Sequence, residues 1–126
     1  MNKKLLVVDD ELHIRMLYQE ELQTEGYTVA LSDGREPVMD IIAREKPDLV
    51  ILDIKLEGNP KTGLDLLQII RAADTKLPVI LSTAYDSFQH DLKSIAADAY
   101  CVKSVDLTIL KDTIKTVLAQ KSKTKS

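Results

Sequence analysis

The chain has a single cysteine, Cys101, which excludes an intramolecular disulfide, and with two histidines the Cys/His clusters of zinc sites are missing too. No apolar run approaches the roughly 20 residues needed to span a bilayer. Met1-Asn2-Lys3-Lys4 leads straight into a strand-like segment, without the apolar core and cleavage site of a signal peptide. A cytoplasmic location without a membrane partner is therefore expected. Charge of one sign is scarce as well. Seventeen Lys and Arg against 20 Asp and Glu leave a net charge of −3, too weak a field to draw nucleic acid directly. With four glycines and 4% aromatic residues, there is neither a Gly-rich phosphate loop nor an aromatic-lined crevice for a flavin; Ser32-Asp33-Gly34 reads as a turn or helix cap.

What is present suits one soluble globular domain: 126 residues, 44% apolar and 29% charged. Short apolar runs occur at Leu5–Val8, Tyr27–Leu31, Leu49–Leu52, Val79–Leu81 and Ala99–Val102. Several lack polar alternation, as strands buried on both faces do. Helical stripes separate them. They are Ile14, Leu17, Tyr18 and Leu22; Val38, Ile41 and Ile42; Leu64, Leu67 and Ile70; Phe88, Leu92, Ile95 and Ala96; and Leu107, Leu110, Ile114, Val117 and Leu118. Gly26 stands where a C′ residue would end the first helix, Asp106 is placed to cap the last, and Pro47 and Pro78 each precede a strand. Alternating strands and helices predict an α/β fold, a parallel sheet covered on both faces. The domain is expected over residues 1–120, with Lys121 to Ser126 as a flexible tail or the start of a linker.

In such a sheet, ligands bind beyond the carboxyl ends of the strands. Asp9 and Asp10 follow the first strand, Asp53 ends the third, Ser82 and Thr83 lie beyond the fourth, and Lys103 follows the fifth. Each has a plain reading: Asp10 as a helix cap, Asp53 as a loop carboxylate, Thr83 as a turn residue, Lys103 as a structural counter-ion. Together they are the groups that phosphoryl chemistry needs. Three carboxylates and one ammonium leave about two negative charges uncompensated, a deficit that a hard divalent ion with oxygen ligands, Mg²⁺, would meet. A carboxylate in line with a phosphoryl donor can then act as nucleophile.

The segments Leu5-Leu6-Val7-Val8-Asp9-Asp10-Glu11, Asp48-Leu49-Val50-Ile51-Leu52-Asp53, Pro78-Val79-Ile80-Leu81-Ser82-Thr83-Ala84 and Tyr100-Cys101-Val102-Lys103, in that order, resemble the receiver domain of two-component response regulators. The resemblance implies a doubly wound, flavodoxin-like five-stranded parallel sheet in the order 2-1-3-4-5. It implies Asp53 as phospho-acceptor and Asp10 and Asp53 as direct Mg²⁺ ligands. Asp9 would act mainly through water, and the backbone carbonyl of Lys55 would be a further ligand. Thr83 and Lys103 would contact the phosphoryl group. Thr83 and Tyr100 would form a switch towards the face of the fourth helix, fifth strand and fifth helix. Implied partners are a sensor histidine kinase or phosphotransfer protein and a downstream protein or output domain, with room for a phosphorylation-dependent dimer. In the family, the residues two beyond the acceptor and two beyond the switch hydroxyl flank the approach of hydrolytic water. Here these are Lys55 and Tyr85, so a long-lived phosphorylated state is expected.

The chain departs from the family in three places. Ser104 follows Lys103 where a cis proline is usual, the loop from Leu56 to Gly63 is longer with Thr62 before the Gly, and Ala96-Ala97-Asp98 replaces Gly-Ala-Asp. Two other readings stand beside this one. A degenerate receiver would act purely through protein contacts. A haloacid-dehalogenase-like phosphohydrolase would need an acid two residues after its nucleophile, where this chain has Lys55. His13 and His90 read as surface residues, and Cys101 as a small core residue.

Overall fold

The computed structural model describes residues 3–54, 63–83, 97–103 and 106–124, the side chains of 83 and 121–124 excepted. Its elements are β1 (Lys4–Val8), α1 (Leu12–Thr24), β2 (Thr28–Ser32), α2 (Val38–Glu45), β3 (Leu49–Asp53), α3 (Gly63–Ala73), β4 (Val79–Thr83), β5 (Ala99–Val102) and α4 (Thr108–Thr124). The helix expected around Phe88 to Ala96 lies outside the described residues. The strands form one parallel sheet in the order β2-β1-β3-β4-β5. The first and third strands are therefore neighbours, which sets the acidic ends of β1 and β3 side by side.

Strand alternation divides the core between the two faces of the sheet. Leu6, Val8, Val50, Leu52, Val79 and Leu81 pack with Ile41 of α2 and Leu67 and Ile70 of α3. Leu5, Val7, Leu49, Ile51, Ile80 and Cys101 pack on the other face with Tyr18 and Leu22 of α1 and Leu110, Ile114 and Val117 of α4. Every residue of β3 is buried, which explains the unbroken apolar run from Leu49 to Leu52.

The helix ends obey local rules. Gly26 has φ +97°, its amide donates to the Gln23 carbonyl at 2.9 Å, and the Tyr27 amide donates to the Leu22 carbonyl at 3.2 Å. This Schellman pattern ends α1 where the glycine predicts. Lys46 takes the left-handed position after α2 at φ 48°, immediately before Pro47. The Asp106 carboxylate accepts the Thr108 amide at 2.9 Å, capping α4. Asp10 does not cap α1; Glu11 is its N-cap residue, with no side-chain cap bond. The backbone of α4 is helical through Thr124, beyond the boundary expected at residue 120. A helix nucleated on its buried stripe extends easily into Lys, Ser and Thr. Strand limits also shift slightly: Asp53, Ser82 and Thr83 are the last strand residues, and Tyr27 precedes β2.

Candidate phosphoryl site at the strand ends

Alternation along each strand gives Asp9, Asp53 and Lys103 the same parity as Val7, Ile51 and Cys101, so all three side chains meet on the α1 and α4 side. The Lys103 ammonium lies 2.7 Å from Asp9 Oδ2 and 3.1 Å from Asp53 Oδ2. Asp9 and Asp53 are almost fully buried and Asp10 is half-buried. One carboxylate oxygen from each of the three aspartates lies within 4.8 Å of the others. Among the described residues this is the one group of acidic or metal-ligating side chains so arranged.

Asp9 is fixed from several directions. Its amide donates to the Ser32 carbonyl at 3.0 Å, prolonging the β1–β2 ladder, and its Oδ1 accepts the Glu11 amide at 2.9 Å. Arg15, one turn into α1, donates from Nη1 to the Asp9 carbonyl at 2.7 Å. Burial by itself works to lower the pKa of Lys103. The hydrogen bond that the ammonium donates to Asp9 and the charges of Asp53 and Asp9 outweigh it, and the pKa lies above its ordinary value. The ammonium is thus firmly charged. It leaves the three carboxylates about two charges in excess, and their hard oxygen donors fit a divalent cation such as Mg²⁺.

Thr83 closes β4 beside this cluster, although its side chain lies outside the described residues, as do Lys55, Tyr85, His90 and the Lys103–Ser104 peptide. Tyr100 is half-buried on β5 and packs against the core on the α2 and α3 side, the face opposite Lys103. His13 is exposed and Cys101 buried.

Three features escaped the reading of the sequence. The first is the Arg15 bond to Asp9, which periodicity cannot show because Arg15 sits off the apolar stripe. The second is Gly63, whose amide donates to the Ile54 carbonyl at 2.6 Å and whose Cα abuts the Asp53 backbone. The third is a buried hydroxyl pair. Tyr18 Oη and Ser82 Oγ lie 3.2 Å apart, each residue 2% exposed, beside a cavity of about 120 Å³ between β4, β5 and α4. Tyr18 belongs to an apolar stripe, and a stripe says nothing of where its hydroxyl goes.

Residues 5–115 match the family model of the response regulator receiver domain. The chain is 34% identical over 124 residues to sporulation initiation phosphotransferase F of Bacillus subtilis, covering 97% of this chain and 98% of that one. It spans 51% and 49% of the length of two transcriptional regulatory proteins from the same organism. The response regulator TrrA of Thermotoga maritima, solved in complex with Mg(2+)-BeF, superimposes with a TM-score of 0.85 at 42% identity, covering 91% of this chain and 98% of that chain. The same TrrA in complex with the histidine kinase ThkA gives 0.80 at 42% identity, covering 92% and 98%.

Proposed function

The chain belongs to the response regulator receiver domain family, a signalling domain, and on that footing we propose that Asp53 accepts a phosphoryl group with the aid of Mg²⁺. The observation that carries this reading is the Lys103 ammonium held between Asp9 and Asp53 at 2.7 and 3.1 Å, with Asp10 completing the acidic cluster. Asp10 and Asp53 would hold the ion directly, and Asp9 mainly through water. When bound, Mg²⁺ would neutralise charge on the carboxylates and on the phosphoryl oxygens.

The protein's own groups then position and neutralise. An oxygen of Asp53 forms a bond to phosphorus while the donor's bond to phosphorus breaks, and the donor leaves with that electron pair. Lys103 moves from bridging two carboxylates to pairing with the new phosphoryl oxygens, a charge-assisted contact that needs no proton transfer. Burial of Asp53 at the end of a fully buried strand keeps its carboxylate aimed along the sheet edge. Thr83 and Tyr100 are assigned the switch, with output towards the face made by the helix expected around Phe88 to Ala96, β5 and the last helix, α4. The donor is a sensor histidine kinase or phosphotransfer protein, a reading supported by the kinase complex of TrrA.

Incubation with acetyl phosphate and Mg²⁺, followed by intact mass, should give one acid-labile phosphoryl adduct, absent from Asp53→Asn. An undiminished adduct on that variant would overturn the assignment. No adduct on the parent chain, together with retained partner binding, would favour a receiver working purely through protein contacts.

A further inference from the structure

Arg15 stands against the ordinary rules of a helix start. α1 has no acidic residue in its first turn and no side-chain cap bond, so nothing on the helix itself relieves the positive end of its dipole. Arg15, half-buried and one turn in, carries a further positive charge back over that end. There its Nη1 donates to the Asp9 carbonyl at 2.7 Å. A residue that opposes its own helix in this way points to a use elsewhere.

The bond goes to a carbonyl and not to a carboxylate. Arg15 joins none of the ion pairs among the described residues, although Asp9 and Asp10 lie just ahead of its helix. A guanidinium paired with either would cancel charge and occupy oxygens that a divalent ion needs. Bonded to the main chain, it leaves those oxygens to Lys103 and the ion. What it fixes is backbone. Asp9 stands one residue past β1, with its amide donating to Ser32, its Oδ1 accepting the Glu11 amide and its Oδ2 facing Lys103. The carbonyl is the remaining handle on this residue, and Arg15 holds it. A peptide unit is planar, so the Asp9 oxygen shares its plane with the nitrogen and Cα of Asp10. Clamping that oxygen fixes the backbone from which the Asp10 side chain departs.

We propose that Arg15 is a positioning residue for the metal site, clamping the Asp9–Asp10 peptide so that the Asp10 carboxylate faces the ion. Asp10 is half-buried where Asp9 and Asp53 are almost fully buried, so packing constrains it least of the three. Hydrogen bonds from outside the ligand set orient the ligands themselves, and here the bond acts through a ligand's own peptide. Arg15 has two effects on Mg²⁺, of opposite sign. As a nearby cation it repels the ion, and as a clamp it preorganises a ligand. The clamp outweighs the repulsion. This inference rests on the reading that Asp10 holds the ion directly.

Arg15→Met removes both effects, so the direction of the change decides between them. Mg²⁺ is titrated calorimetrically into the folded chain with no phosphoryl donor present. The dissociation constant should rise about tenfold, the lower end of what partners outside the ligand set contribute. A constant that falls or holds would overturn the proposal. That includes the case in which the urea midpoint drops while Mg²⁺ affinity is kept, which would reduce Arg15 to a structural link between β1 and α1. Acetyl phosphate labelling supplies a second readout. The Mg²⁺ concentration giving half the maximal rate should rise with the dissociation constant, while the maximal rate at saturating Mg²⁺ should match the parent's. A rate that stays low at saturating Mg²⁺ would move the role of Arg15 to the phosphoryl donor and sink the metal assignment. Arg15→Gln, equally neutral and too short for the same reach, should repeat the result and decides alone if Arg15→Met does not fold. Failure of the underlying reading looks different: the parent would bind no Mg²⁺, or Asp10→Ala would bind it as the parent does.

Discussion

Gly63 packs its bare Cα against the carbonyl of Asp53, and a Cβ built there would lie 2.7 Å from the Asp53 carbonyl carbon and from the Ile54 Cα. The first turn of α3 therefore rests directly on the backbone that carries the central carboxylate. Gly63→Ala must displace backbone rather than a yielding side chain, at a cost of roughly 1–3 kcal/mol. It should also weaken Mg²⁺ binding, because the displaced atoms belong to Asp53. Gly26→Ala is the control. Its φ of +97° makes any side chain strained, at about 1–2 kcal/mol, but nothing lies within 4 Å of the added methyl. Urea unfolding should show both losses, and Mg²⁺ titration only the first. Equal Mg²⁺ affinity in the two variants would separate Gly63 from the pocket.

At the opposite end of β4, Arg71 of α3 donates to the Leu77 carbonyl at 2.5 Å and to Asp98 Oδ2 at 2.7 Å, and Asp98 Oδ2 also accepts the Val79 amide at 2.9 Å. Both side chains are largely buried. Arg71→Met removes the cationic partner of a half-buried carboxylate, a change that costs about 1.5–3 kcal/mol for a hydrogen bond to a charged group. Denaturant midpoints should fall accordingly while acetyl phosphate labelling continues on the folded fraction. A midpoint within experimental error of the parent's would show that the pair is solvent-screened and inert.

The sheet was legible because β1 and β3 are buried on both faces and so leave continuous apolar runs, while Gly26, Pro47 and Asp106 mark helix ends by mechanisms that act within a few residues. The meeting of Asp9, Asp53 and Lys103 was legible through one step of topology, the adjacency of β1 and β3, which came from a resemblance and not from periodicity. The strands run one or two residues past the apolar runs, since Asp53, Ser82 and Thr83 are polar yet still pair in the ladder. Illegible were contacts that join elements far apart in sequence. Tyr18 and Ser82 are separated by 64 residues, and no local pattern says that a phenol on α1 reaches a hydroxyl on β4. Gly63 is similar: its need for a missing side chain depends on a backbone ten positions earlier.

Cys101 should behave as a core atom. Burial pushes its thiol pKa above the usual value of 9.0, with a weak bond to Thr113 opposing. A raised native pKa means the folded state holds that proton more tightly. The stabilisation is complete below pH 9.0 and is lost as pH rises through the native value. Near pH 8 the native protein should react with a disulfide reagent far more slowly than in urea. Comparable rates in the two conditions would place the thiol at the surface.

Lys103 occupies the space between two buried carboxylates that a divalent ion would also neutralise, so ammonium and ion compete for the same negative charge. Lys103→Met separates their roles. Without metal, Asp9 and Asp53 lose their counter-ion while remaining buried, and stability should fall by about 3–5 kcal/mol. Methionine keeps much of the length and the packing of the stem, so the loss is electrostatic. Adding Mg²⁺ then has more charge to compensate than in the parent. It should bind more tightly to Lys103→Met and should recover more of its stability, since ligand binding to the folded state stabilises as RT ln(1 + [L]/Kd). Phosphoryl acceptance should nevertheless drop, because the cation that would follow the charge onto the phosphoryl oxygens is gone. Thermal unfolding across a Mg²⁺ series, run beside acetyl phosphate labelling, reads all three effects in one pair of proteins. An unchanged Mg²⁺ affinity in Lys103→Met would mean that the ammonium and the ion do not share the pocket's charge, and that Lys103 is a structural counter-ion alone.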